Sequence, residues 1–286
     1  MTNTLLTLGH GYSARALVEH LRSGDWHFIG TTRAVREAGA GQDGVDLRIW
    51  PGSDLTDAIL SASHILISAA PSDSGDPFLA ELSDTLSRAR PDWLGYLSTT
   101  GVYGDHDGGW VDEATPLTPT TRRGKQRVLA ESQWRAFSDQ HGIPLHVFRL
   151  AGIYGPGRGP FAKVRAGTAR RIIKPGQVFS RIHVEDIAQI LAASIRHPSP
   201  GGVYNVCDDL AAPPEDVIAH AANLLGMPVP DAEAFEAADM TPMARSFYAE
   251  SKRVRNDRIK QELGVRLRFP DYRSGLADLV ARAHAK

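Results

Sequence analysis

Four things are scarce or missing in this sequence, and each absence removes a class of function. It has one cysteine, Cys207, in 286 residues. One thiol makes no internal disulfide and supplies at most one ligand of a Cys-rich zinc site. The expected setting is a reducing compartment, with Cys207 a small buried apolar residue, not a nucleophile, and no metal centre. There is no basic excess either: 32 Lys and Arg stand against 33 Asp and Glu, a formal net charge of −1. A chain built to coat nucleic acid carries a positive surplus, so no nucleic-acid partner is expected. No run approaches the ~18 consecutive apolar residues of a membrane-spanning helix. The first ten residues, MTNTLLTLGH, lack a basic n-region and a small-residue cleavage site. A cytoplasmic protein with no membrane partner is expected by elimination.

What is present is ordinary globular composition, 42% hydrophobic and 23% charged, which excludes wholesale disorder. At ~150 residues per domain the length gives roughly two domains, or one large α/β unit with an appended lobe. In the first half, short apolar runs alternate with amphipathic stretches. Thr4–Leu8, Trp26–Gly30, Val45–Trp50, His64–Ala69, Trp93–Ser98 and Leu145–Leu150 read as strands. Ser13–Arg22, Pro77–Ala89 and Arg122–His141 read as helices. The uninterrupted run HILISA is what a parallel strand covered on both faces requires. Alternation of this kind predicts parallel crossovers and a doubly wound sheet.

The second half is less regular. Arg170–Pro175, Val178–His183 and Gly202–Val206 are candidate strands, and Asp186–Arg196 and Pro214–Leu225 candidate helices. Met227–Thr241 reads as a loop or short helix, and Ser251–Leu263 as a charged helix stopped by Gly264. The basic stretch Lys252–Lys260 reads as a solvated helix face, or else as part of an anion-binding rim.

Directly after the first strand stands Gly9-His10-Gly11-Tyr12-Ser13-Ala14, a G-x-G-x-x-A pattern. Gly9 permits the tight turn, Gly11 lets a pyrophosphate approach the backbone, and Ala14 lets the helix pack close to the sheet. The N–H groups at the start of the helix, about Tyr12 and Ser13, then face the anion. The position between a strand and a helix is the context this motif needs. His10 reads as a spacer. About 20 residues further on, an NAD-preferring protein places an acid for the ribose 2′-hydroxyl. Here the second strand runs out through Thr31 and Thr32 to Arg33. A guanidinium can hold a 2′-phosphate in a bidentate fork and a threonine hydroxyl can donate to it, so NADP is expected in preference to NAD. Ser68-Ala69-Ala70-Pro71, after the fourth apolar run, leaves room for a ligand at the carboxyl end of a central strand.

These motifs, with Ser98-Thr99-Thr100-Gly101-Val102-Tyr103-Gly104, Arg149–Pro156 (RLAGIYGP), Arg181–Ala188 (RIHVEDIA) and Tyr204-Asn205-Val206, make the sequence resemble the extended short-chain dehydrogenase/reductase superfamily, in its NAD-dependent epimerase/dehydratase branch. The resemblance covers nearly the whole chain. It implies a Rossmann-type doubly wound α/β domain, residues 1–157, and a smaller C-terminal α+β substrate lobe, residues 158–286, with the strand near 202–206 returning to the Rossmann sheet. It also implies a small-molecule substrate, sugar-like or otherwise bearing a carbonyl or hydroxyl, and a monomer or homodimer. In the family, a Ser or Thr, a Tyr and a Lys carry the chemistry, the last two as Tyr-x-x-x-Lys at the start of a long helix.

The Ser/Thr position falls on Thr99. The helix start reads Thr121-Arg122-Arg123-Gly124-Lys125-Gln126-Arg127, without a tyrosine. One register puts Thr121 and Lys125 in the Tyr and Lys slots. The other, set by the family's downstream Glu on Glu131, puts Arg123 and Arg127 there, and it also keeps the helix face in step. A threonine hydroxyl is far too weak an acid to replace a phenol of pKa ~10. An arginine stays protonated and stabilises a developing oxyanion instead. Tyr103, four residues beyond Thr99, is the nearest phenol and, with water, a candidate to carry the proton, although in the family it belongs to a structural turn. The resemblance places Arg181 on the lobe facing the substrate, as a contact to an anion. His183 reads as a packed histidine and Asp186 as a first-turn or capping carboxylate. Two functions follow from this set: an NADP(H)-dependent oxidoreductase or epimerase with an altered catalytic set, or a cofactor-binding sensor or scaffold that turns nothing over.

Overall fold

Apolar runs that need cover on both faces become the strands of one sheet. The computed structural model describes residues 2–33, 39–40, 44–197 and 202–284. The first half contains β1 (Asn3–Leu8), α1 (Tyr12–Leu21), β2 (Trp26–Thr32), β3 (Gly39–Ala40), β4 (Val45–Ile49), α2 (Thr56–Ser61), β5 (His64–Ile67), α3 (Pro77–Arg88) and β6 (Trp93–Thr99). A 3₁₀ turn at Thr100–Tyr103 leads to β7 (Trp110–Val111), α4 (Arg122–His141) and β8 (Leu145–Leu150). Then come β9 (Gly152–Tyr154), α5 (Phe161–Arg165), β10 (Arg171–Ile173), β11 (Arg181–His183), α6 (Val184–Arg196) and β12 (Gly202–Val206). The chain ends with α7 (Pro214–Leu224), β13 (Ala232–Ala234), α8 (Pro242–Phe247), β14 (Arg253–Val254), α9 (Asp257–Gln261) and α10 (Tyr272–His284). Among the described residues no helix is long and apolar enough to cross a membrane.

The central sheet runs β12-β8-β6-β5-β1-β2-β4-β3. All its pairings are parallel except that of β3 with β4. Strand order reverses between β1 and β5, so a crevice opens at the carboxyl ends of the strands. One face is covered by α1, α6 and α9, whose Leu17, Ile187, Ile190 and Ile259 pack on Leu5, Leu66 and Phe148. The other is covered by α2, α3 and α4 through Ile59, Phe78, Ala130 and Trp134. Each fully buried Leu, Ile or Phe stabilises this arrangement by ~1.5–3 kcal/mol. A separate cluster of Tyr154, Val164, Val217, Ala221, Tyr272 and Leu276 forms the core of the lobe.

The second half departs from the sequence reading at four places. Of Val178–His183 only Arg181–His183 is a strand, paired with β9, while Phe179 makes an isolated bridge to Ala212. Met227–Thr241 contains β13, which pairs in parallel with β10. Ser251–Leu263 is not one helix: Arg253–Val254 pairs with β7 and only Asp257–Gln261 is helical. The cause is burial, because the Lys252 ammonium donates to Gly104 O and pairs with Glu250, and Asn256 donates to Cys207 O and Asp209. These groups are spent on tertiary contacts and are not a solvated face. Finally, the return to the sheet is not β12 alone, since α6 also packs on α1.

Candidate active site

The glycine loop is held from three sides. Gly9 has φ +94°, and a Cβ there would come within 2.8 Å of Ala69 N, so any side chain would be strained and would collide with the chain leaving β5. Gly9 N donates to Thr31 Oγ1 at 2.7 Å, and Thr31 Oγ1 donates to Thr7 O. The Thr31 hydroxyl is therefore committed to the loop and is not offered to a ligand. His10 shares a hydrogen bond with Thr7 Oγ1 through Nδ1 at 2.9 Å. Gly11 caps α1 in an extended conformation, with no side-chain cap and no acidic residue in the first turn. A Cβ on Gly11 would meet nothing within 4 Å. The start of α1 thus borders open space at Gly11, with Tyr12 and Ser13 also on the cleft wall, a setting that suits a phosphate. Ala14 is fully buried and Ser13 nearly so. Ala69 N donates to Leu8 O, while Ala70 and Pro71 line the cleft beside the loop. Thr32 ends β2, and exposed Arg33 follows it.

The cleft, about 2110 Å³, runs from this loop to the C-terminal lobe. Thr99 stands in it at the end of β6, its Oγ1 accepting from Gly101 N at 3.2 Å. The helix α4 comes close because residue 124 is glycine: a Cβ there would sit 2.7 Å from Gly101 O. That approach brings Arg123 and Arg127, one turn apart, to the cleft wall with Thr99. Arg127 is anchored there, donating from Nη1 to Tyr96 Oη (3.1 Å) and Leu97 O (2.5 Å). Thr121 also lines the cleft but spends its hydroxyl as the N-cap of α4. Lys125 is exposed and is not among the cleft-lining residues.

Tyr103 is a correction. It is fully buried and does not reach the cleft. Its hydroxyl donates to Asn205 Oδ1 at 2.7 Å and accepts from Arg149 Nη1 at 3.0 Å. Burial pushes the phenol up to about 12. Both hydrogen-bonding directions of that oxygen are used inside the fold, so it has no route to a substrate proton. Its partner Arg149 is the hub of a network that residue-by-residue reading missed. Arg149 pairs with Glu131 at 2.9 Å, each side chain less than 5% exposed, and Glu131 also accepts from the Ser98 hydroxyl. Ser98 and Arg149 both stand inside the quoted motifs, so the signal was present without a role attached.

Asp186 stands in the first turn of α6, as one of its two expected roles required, but it is not the cap. His183 caps α6, its Nδ1 accepting from Glu185 N, whereas the Asp186 carboxylate accepts from Arg268 N (2.8 Å) and Phe269 N (3.0 Å). It fastens the C-terminal segment to α6, and it also accepts from Gln189 Nε2 of its own helix at 2.7 Å. Arg181 lines the cleft as expected, but its Nη1 is shared between Phe179 O and Ala212 O, both at 2.9 Å. Behind it lies Asp208, 3% exposed, with one carboxyl oxygen lacking any hydrogen-bond partner among the described residues. Burial pushes Asp208 up to about 8, with Arg181 opposing the shift and Asp209 and Asp271 adding to it. A carboxyl raised in the folded state stabilises below its unfolded value near 4 and loses that contribution as pH rises towards 8. Asp208→Asn keeps the acceptor for Leu210 N and removes the ionisation. The variant should melt higher than the parent at pH 8, on the order of a few degrees, with the gap closing towards pH 4. Thermal melts across that range check it, and a gap independent of pH would show that Asp208 ionises as readily as a surface carboxylate.

Charge in the cleft is one-sided. Arg122, Arg123, Arg127, Arg158, Lys163, Arg170, Arg181 and Lys252 line it, against Asp239 and Glu250. The first two turns of α4 carry four cations and no acid, and those in the first turn oppose the helix dipole. Arg122 pairs with Asp73. A protein of net charge −1 thus gathers a local surplus of positive charge in one crevice, even after Asp73, Glu233 and Glu250 pair with Arg122, Arg170 and Lys252.

Comparison with known proteins places this geometry in a family. Protein YeeZ of Escherichia coli (strain K12) is 31% identical over 281 residues, covering 92% of this chain and 95% of its own. The structure of a protein of unknown function from Silicibacter pomeroyi DSS shares 59% identity over 99% of each chain, with a TM-score of 0.91. A dTDP-glucose 4,6-dehydratase from Bacillus anthracis str. Ames, solved in complex with NAD, superposes with a TM-score of 0.78 over 99% of this chain and 97% of its own. At 18% identity that likeness is one of fold. The model of the NAD dependent epimerase/dehydratase family matches residues 5–207. That span takes in the glycine loop, the strand carrying Thr99 and the Arg149 motif, and the chain therefore belongs to the NAD-dependent epimerase/dehydratase family.

Proposed function

We propose that the protein is an NADP(H)-dependent oxidoreductase or epimerase whose substrate is a small anionic carbonyl or hydroxyl compound, sugar-like in size. The cation surplus in the cleft is the observation that carries the substrate class. The loop residues fit a dinucleotide: the uncapped α1 N-terminus and the empty space over Gly11 form a cradle that a Cβ would fill. Gly9, Gly11, Tyr12, Ser13 and Ala14 would hold the pyrophosphate half, with Ala69, Ala70 and Pro71 beside it, and Thr32 and Arg33 at the 2′-phosphate. When bound, the nicotinamide supplies hydride exchange. Residues 1–157 would carry the cofactor and 158–286 the substrate, apart from the return of α6 and β12 to the sheet.

In this reading Thr99 donates to the reacting oxygen, and Arg127, held by Tyr96 and Leu97 O, stabilises the negative charge that develops on it. Arg123 binds at the rim and Arg181 deeper in the lobe. The Arg123 and Arg127 register is preferred because Lys125 is not among the cleft-lining residues. With Tyr103 sealed, water carries the proton. That same lack of a helix-borne phenol supports a second reading, an NADP(H)-binding sensor without turnover.

Titration with NADPH and NADH, beside NADPH consumption on a panel of anionic carbonyl compounds, separates the two. Tighter NADPH binding is expected, and Arg33→Ala should cost NADPH ~10- to 100-fold in affinity, roughly 1.5–3 kcal/mol, while leaving NADH unchanged. Arg127→Gln should lower turnover by ~10²–10³. Equal affinities in the parent would remove the NADP preference, and binding without turnover on any compound would leave the sensor.

A further inference from the structure

After β9 the chain closes a tight turn over the glycine loop. Gly155 N donates to Arg158 O at 2.8 Å and Arg158 N donates to Gly155 O at 3.0 Å, with φ +70° at Gly157. The turn is seated on Tyr12, whose hydroxyl donates to Pro156 O at 2.9 Å. Its tip carries Arg158, with the guanidinium carbon 5.7 Å from the centre of the Tyr12 ring. Arg158 lines the same cleft as Gly11, Tyr12 and Ser13.

Five of the other cations there have their charge or their N–H groups engaged. Asp73 holds Arg122 and Glu233 holds Arg170. Glu250 holds Lys252, and backbone carbonyls hold Arg127 and Arg181. Arg158 is exposed and lies against a ring face, which orients a guanidinium without neutralising it. Burial pushes the Tyr12 phenol up and Arg158 is the charge opposing that shift, which agrees with the short separation. The glycine loop itself, Gly9–Ala14, contains no Lys or Arg. It offers backbone N–H groups to a group that carries two negative charges.

We propose that Arg158 is a cofactor-binding residue: it reaches from the lobe side to the pyrophosphate held at the α1 N-terminus, with Tyr12 as the platform that keeps its guanidinium there. The inference rests on the dinucleotide reading above and adds a residue that the loop motif does not contain. It also assigns a role to Tyr12, which ties the two walls of the cleft together.

The pyrophosphate is common to both nicotinamide cofactors, so the test is a comparison of ligands. Calorimetric titration of the full chain with NADPH and with NADH should show Arg158→Gln weakening both by the same factor, about tenfold. Arg33→Ala should weaken NADPH alone. Arg158→Lys should recover part of the loss, since it restores the charge without the fork. Tyr12→Ala should weaken both ligands, and the Arg158→Gln effect should shrink as salt is raised. Unchanged affinities in Arg158→Gln, with the parent binding normally, would overturn the assignment. A loss confined to NADPH would overturn it too, by moving Arg158 to the 2′-phosphate. A parent that binds neither ligand would instead bring down the dinucleotide reading, and this inference with it.

Discussion

Valine at residue 11 should leave the fold and its melting temperature in place and remove dinucleotide binding. Gly11 has φ −96° and ψ −163°, extended backbone that a β-branched residue adopts without strain. Nothing in the protein lies within 4 Å of the new Cβ, so no contact is lost and none is forced. The space it fills is the space a pyrophosphate needs to meet the α1 N–H groups. Affinity for NADPH and NADH should fall together by at least about two orders of magnitude, the loss expected when several charge-assisted hydrogen bonds go at once. Circular dichroism should overlay that of the parent. Valine at residue 9 is the contrasting control, because a Cβ there meets Ala69 N at 2.8 Å in a left-handed conformation and should lower stability itself. Near-parental binding by Gly11→Val would mean that the dinucleotide lies elsewhere.

The largest stability effect should come from the buried pair behind the cleft. Glu131→Ala leaves the Arg149 guanidinium, 4% exposed, without its carboxylate. Stranding a buried charge in this way costs ~3–5 kcal/mol, and the desolvation of the remaining ion dominates that figure. In a chain of this length the melting temperature should drop by roughly 10 °C. The paired replacement Glu131→Leu with Arg149→Met should recover most of the loss, since no uncompensated ion remains. If Glu131→Ala melted like an exposed Glu→Ala change, Arg149 would have another adequate partner. Ser98 and Tyr103 donate to or accept from the same two side chains, so the pair also sets how β6 and α4 face each other. Thr99 and Arg127 depend on that setting.

The Rossmann half was legible because buried parallel strands write themselves as uninterrupted apolar runs: Leu5–Leu8, Ile65–Ile67 and Val147–Leu150 carry no polar residue except Thr7 and Arg149. The glycine loop was legible because few backbone geometries demand glycine at those spacings. The lobe was harder, since its short strands are fixed by tertiary partners. Ala232–Ala234 has neither alternation nor β-branched residues and becomes a strand through pairing with Arg171–Ile173. Lys252 looked like a solvent-facing charge, yet its ammonium is buried against Gly104 O. Tyr103 could be placed near Thr99 by counting, but only the burial of its hydroxyl between Asn205 and Arg149 decides that it faces inward. The cationic wall of the cleft was half visible. The α4 arginines are adjacent in sequence, whereas Arg158, Lys163, Arg170 and Lys252 come together only through the fold.

The return of β12 to the far side of β8 bears on how this chain can be divided. The segment LHVFRL is buried along its whole length, and Gly202–Val206 satisfies its outer row of backbone groups. A polypeptide ending at the lobe boundary would leave β8 as an open edge strand, apolar and unpaired, which is a template for association with other copies. On the dinucleotide reading the first 157 residues would hold the cofactor, but they lack the strand that closes their sheet beyond β8. Any attempt to transplant the cofactor half onto another lobe has to carry α6, β12 and α9 with it, as internal pieces spliced back in.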